Sequence, residues 1–160
     1  MKHRHIIEAC RVVLRDKNYT AERSAALIGW LRESDPAICD MVGRALAALG
    51  EPAFDDLLAC VTAPGAELWP SAVWALELVP ARRHRLLPLL RGWLASTAGE
   101  LQRQCAVSLA NLLVERWRAG HSRDPADVAA CRQVLERDAG RQPALRVHLW
   151  DLVDGLGLPG

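Results

Sequence analysis

PAICDMVGRALAALGEPAFDDLLACV, residues 36–61, is the stretch whose reading decides the fold. Ile38, Val42, Ala45 and Leu46 stand four, seven and eight residues apart from the first, which puts all four side chains on one face of a helix. Asp35 before Pro36 reads as an N-cap followed by the residue best tolerated at the first helical position. Gly50-Glu51-Pro52 then interrupts the pattern, and Phe54, Leu57, Leu58 and Val61 form a second apolar stripe. The segment therefore predicts a helical hairpin with an apolar interior.

The same hairpin recurs along the chain. Leu68, Ala72, Ala75 and Leu76 repeat the first stripe, and after Val79-Pro80 come Leu86, Leu89, Leu90 and Trp93. Leu101, Cys105, Ser108 and Leu109 repeat it again. Pro64-Gly65-Ala66 and Thr97-Ala98-Gly99 stand where Ser34-Asp35-Pro36 stands in the first unit. Outward, Ile6, Cys10, Val13 and Leu14 obey the spacing, with a second helix over 21–31. Asp124-Pro125 opens a helix to about residue 137, and Leu145, Leu149, Leu152 and Val153 fit the rule once more. A period near thirty residues marks stacked hairpins, none of which buries its apolar face alone.

With these residues in view, the chain resembles the HEAT-repeat family of helical solenoids, most closely over 35–61 and 65–94. The resemblance implies an all-α fold: a right-handed α-solenoid of about nine helices in HEAT-like helical hairpins, occupying residues 1–160 as a single domain. The chain departs from the family pattern at one slot. Where many HEAT repeats carry an arginine after the first apolar position, this chain has Ile7, Cys39, Trp69 and Gln102. The family's polar ladder is not carried over.

Composition narrows the function classes. No run of eighteen residues is free of charge, so no membrane span is expected. The basic start, with His3 and His5, leads into a run cut by Glu8 and Arg11, unlike a secretory signal. Five scattered cysteines lack metal-ligand spacing and read as small buried thiols of a reducing cytoplasm. No phosphate loop, nucleophile elbow or metal motif is present, so no catalytic residue, metal or cofactor is assigned.

Charge is nearly balanced overall, at +1, but uneven along the chain. Residues 36–79 hold one basic and six acidic residues, whereas 80–123 hold eight basic and two acidic. All but two of the twenty basic residues are arginine, the side chain suited to bidentate recognition of oxyanions. The candidate partner-binding residues are Asp55, Asp56, Trp69, Arg82, Arg83, Arg85 and Arg91, with the arginines expected to serve binding and not folding. The helix holding them starts either ahead of them or near Leu87. Adjacent Asp55 and Asp56 diverge on a helix and do not make a catalytic pair. Trp30, Trp93 and Trp150 are expected in the core, and Trp69 and Trp117 partly exposed.

The expected function is a non-enzymatic protein–protein interaction module, a bacterial adaptor, chaperone-like partner or immunity protein. The alternative is nucleic-acid binding through the basic segment 80–123, as in HEAT-like alkylpurine DNA glycosylases. Near-neutral charge and the acidic block at 36–79 weigh against it. HEAT-like lyases that attach pigments are a third class, with no motif here to carry over.

Overall fold

The computed structural model describes residues 3–33, 35–79, 83–148 and 150, with the side chain of Arg83 outside that description. Among the described residues there are helices and no strands. Eight helices follow in order: α1 (Arg4–Asp16), α2 (Ala21–Trp30), α3 (Pro36–Leu49), α4 (Glu51–Thr62), α5 (Pro70–Glu77), α6 (Arg83–Ser96), α7 (Gly99–Arg118) and α8 (Pro125–Ala139). Residues 145–148 and 150 are also helical. The chain divides into two compact units, residues 1–84 and 85–160, with the division in the first turn of α6.

Local chemistry sets the helix ends. The Asp35 carboxylate accepts from Ala37 N at 2.9 Å, and Asp124 does the same for Ala126 N at 3.0 Å, each followed by proline at the start of the helix. The Thr20 hydroxyl caps α2 by accepting from Arg23 N at 3.1 Å. Gly50 ends α3 and opens α4 with φ +83°, a conformation that a side chain would strain. The Gly50-Glu51-Pro52 break is therefore a corner of one residue, not a loop.

In the first unit, α1 packs on α3 and α3 on α5, while α2 packs on α4 and on α3. Alternate helices thus lie against one another. The small residues in the stripe permit this. Val42, Ala45, Ala72 and Ala75 are all buried, and Gly43 of α3 lies so close to the Trp74 ring of α5 that an added methyl group would enter the ring. In the second unit α7 packs along α8, with Cys105, Ala106, Leu109, Cys131 and Leu135 in its core.

Two charge clusters tie neighbouring segments. Arg23 holds Asp16 through two bonds, Nη1 to Oδ1 at 2.9 Å and Nη2 to Oδ2 at 3.0 Å, and Asn18 N adds a third at 2.9 Å. The Arg23 bonds chiefly, and the Asn18 bond next, hold the pKa of Asp16 below the ordinary carboxylate value. Asp138 is lowered in the same way by Arg137 and then Arg103. Groups lowered on folding stabilise the fold above the unfolded pKa near ~4 and lose that contribution as pH falls through their folded values. The melting temperature is therefore expected to fall on acidification below that point. Asp16→Asn and Asp138→Asn should each flatten part of that slope in pH-resolved melts, and an unchanged profile would show that neither carboxylate matters.

All five cysteines are free. Burial pushes the Cys10 and Cys105 thiols up to about 11 and Cys131 up to about 12. Cys60 is exposed. Alkylation of the native protein should therefore mark Cys60 first, with Cys10, Cys105 and Cys131 far slower, because burial withholds both access and the thiolate form. Peptide mapping after a timed iodoacetamide pulse reads this order, and equal labelling of the buried thiols would contradict the burial.

Several expectations are corrected. Trp150 is 70% exposed, outside any core, because the face that carries it and Val147 is not covered by the described residues. Leu14 is 39% exposed in the last turn of α1. Leu68 precedes α5, which begins at Pro70, so it is not on that helix and is only half-buried. Leu149, Leu152 and Val153 lie outside the described residues.

Candidate partner-binding surface

Trp69 occupies one of the slots where the helical-repeat pattern carries arginine, and it is the N-cap residue of α5, with extended backbone ahead of Pro70. The neighbouring slots show what that position does. Cys39 Sγ donates to Glu33 O at 2.8 Å, and Gln102 Nε2 donates to Leu94 O at 3.2 Å. Each ties a helix start to a carbonyl at or beyond the end of the preceding helix. Trp69 makes no such tie. Its Nε1 is buried and finds no acceptor among the described residues.

A cation covers the indole. Arg32, just past the end of α2, places its guanidinium carbon 4.0 Å from the Trp69 ring centroid. The same guanidinium bonds Glu67 through Nη1 and Oε2 at 3.2 Å. The side chains of Arg32 and Glu67 are 52% and 75% exposed, and Trp69 is half-buried. The exposed ion pair adds little stability by itself. What the three residues form is a flat aromatic–cation surface held on the start of α5, beside an acidic group. Sequence reading found Trp69 and missed Arg32 and Glu67. Their approach needs the turn after α2 to meet the α4–α5 turn, and no spacing in the sequence announces that.

The other candidates fall into separate places. Asp55 and Asp56 are half-buried on α4. The Asp56 carboxylate accepts a hydrogen bond from the Tyr19 hydroxyl at 2.6 Å, which ties the α1–α2 turn to α4 and raises the tyrosine's pKa. Asp55 is engaged in an interaction of its own. Arg82 lies outside the described residues. Arg83 opens α6 and Arg85 follows in its first turn, exposed and not free of partners. Because α6 starts at Arg83 and not near Leu87, these cations stand at the positive end of a helix dipole.

Arg91 requires a correction. Its Nε bonds both carboxylate oxygens of Asp127, at 2.9 and 2.8 Å, and its Nη2 lies 2.7 Å from Asp127 Oδ2 and 3.8 Å from Asp124. The Asp127 bond is the main cause of a raised Arg91 pKa. This pair joins α6 to α8 within the second unit, so Arg91 is engaged in an internal ion pair rather than standing as a free cation. Sequence missed it because Asp127 is thirty-six positions away. Trp117, expected partly exposed, is half-buried under Arg123, whose guanidinium carbon is 5.5 Å from its ring centroid, and Trp30, expected in the core, is half-buried and meets His5 edge-on at 5.8 Å.

Among the described residues no helix is long and apolar enough to cross a membrane, and no group of three or more His, Cys, Asp or Glu is placed to hold a metal ion. No protein-family model, curated protein or solved structure matches the chain.

Proposed function

We propose that this chain is a non-enzymatic protein-interaction module built from HEAT-like helical hairpins stacked as a right-handed solenoid. The packing of α1 on α3 on α5, with α2 on α4, supports the stacking within the first unit. The partner docks on the surface made by Arg32, Glu67 and Trp69. The observation that carries this is the half-exposed indole with a guanidinium stacked on it at 4.0 Å, the two residue types most concentrated in binding hot spots. Its buried, unpartnered Nε1 adds a local imperfection of the kind that stability alone does not explain. Asp55, Asp56, Arg82, Arg83 and Arg85 are proposed as further charges that help select the partner electrostatically.

The alternative, nucleic-acid binding through 80–123, loses two of its cations to internal pairing, Arg91 with Asp127 and Arg103 with Asp138 at 3.2 Å. Quantitative affinity capture from the source cells separates the readings. Trp69→Ala should lower recovery of a specific protein by at least about tenfold, in line with a hot-spot loss of ~2 kcal/mol, with the thermal melt little changed. Nuclease treatment should release nothing. Full recovery with Trp69→Ala would place the surface elsewhere, and release by nuclease would favour the alternative.

A further inference from the structure

A cleft of about 200 Å³ opens in the second unit, where the end of α7 meets the start of α8. Its polar wall is Arg91, Arg116, Ser122, Arg123, Asp124 and Asp127. The two carboxylates are already spent. Asp127 is closed by Arg91 at 2.7–2.9 Å, and Asp124 caps Ala126 N at 3.0 Å with Arg91 at 3.8 Å. Arg91 is used up in the same bonds. Arg116 and Arg123 have no carboxylate partner among the described residues. Three guanidiniums against two carboxylates leave one positive charge, with the positive end of α8 behind it.

That single charge selects the ligand. It balances one monovalent anion. A phosphate dianion or a polyanionic strand would also face Asp124, whose side chain is 51% exposed in the same wall. Leu87, Leu113 and Val128 supply an apolar floor that suits a short hydrocarbon stem. Arg116 and Arg123 offer the planar donors that fit a carboxylate, and Ser122 adds a hydroxyl. We propose that this cleft binds one carboxylate on a short apolar stem, supplied either by an acidic side chain of a peptide or by a small free carboxylic acid. The site is independent of the Trp69 surface and stands whether or not that surface binds a partner.

Nuclear magnetic resonance of isotope-labelled arginine side chains tests it at low ionic strength. The full-length protein is titrated separately with butyrate, with a short peptide holding one glutamate, and with inorganic phosphate. The Nε–H signals of Arg116 and Arg123 should shift saturably with butyrate and the peptide, and phosphate should bind at least about tenfold more weakly. A peptide affinity about tenfold above that of butyrate assigns the natural source to a peptide, and equal affinities assign it to a free acid. Arg116→Gln and, separately, the exposed-site variant Arg123→Gln should each weaken binding about tenfold. If Arg116→Gln does not fold, Arg123→Gln decides. Absence of saturable shifts, phosphate binding as tightly as butyrate, or wild-type affinity in the folded variants would overturn the proposal.

Discussion

Ala75→Asp should unfold the first unit or nearly so, with an expected cost above ~3 kcal/mol. Ala75 is 1% exposed on α5, between Ala72 and Leu76, which are fully buried, and α5 packs on both α3 and α4. A carboxylate there meets neither space nor a cation. Gly43 and Trp74 already fill the adjoining α3–α5 contact without room for one more methyl group. Ala75→Ser, nearly the same volume, should cost far less, which separates buried charge from mere substitution. Urea unfolding followed by helical circular dichroism reads both. A midpoint for Ala75→Asp within error of wild type would show that α5 presents a different face.

Removing Arg91 should be the second-largest effect, about 2–3 kcal/mol for Arg91→Met. Breaking a fully buried ion pair costs ~3–5 kcal/mol, and the value is reduced here because the Arg91 side chain is 43% exposed. The cost is asymmetric. Asp127, with its side chain 8% exposed, is stranded when Arg91 goes, whereas Arg91 keeps much of its hydration when Asp127 goes. Asp127→Asn should therefore cost less than Arg91→Met. The double variant Arg91→Met/Asp127→Leu should recover most of the loss, since both charges leave together. Additive losses in the double variant would mean that the pair is not a unit.

How far the fold was legible depends on which residues carried the signal. The two inner slots of the stripe were fully readable. Cys10 and Val13, Val42 and Ala45, Ala72 and Ala75, and Cys105 and Ser108 are all buried, at 3% exposure or less. Helical geometry alone puts those positions at the centre of a packed face. The outer slots were less secure, because they sit at the ends of helices where turns decide exposure. Leu14, Leu68 and Leu101 are exposed or half-buried for that reason, while Leu46, Leu76 and Leu109 are buried. Capping signals transferred directly at Asp35 and Asp124, since a cap is a local interaction.

The site was less legible, for the opposite reason. Trp69 stood out because it violates the repeat, but the residues that give it meaning lie far away in sequence. Arg32 reaches it across thirty-five or more positions, and Asp127 reaches Arg91 across thirty-six. Such distances are a few residues more than one period of the stripe, so a partner somewhat beyond one period away was the signal to seek. Arg103 with Asp138 and Gln102 with Arg137, each thirty-five apart, follow the same rule. The basic block at 80–123 misled in part because a count of charges does not see that two of its arginines are neutralised from the next segment.

The Arg32–Glu67–Trp69 surface is the proposed seat of the protein partner. A photo-crosslinking amino acid in place of Glu67, 75% exposed beside the indole, tests it without disturbing the core. The control carries the same group in place of Arg11, whose side chain is 69% exposed on α1. Irradiation in the source cells should give a discrete protein adduct from position 67, lost on adding Trp69→Ala, and no such adduct from position 11. No protein adduct from position 67, or the same adducts from both positions, would contradict the claim.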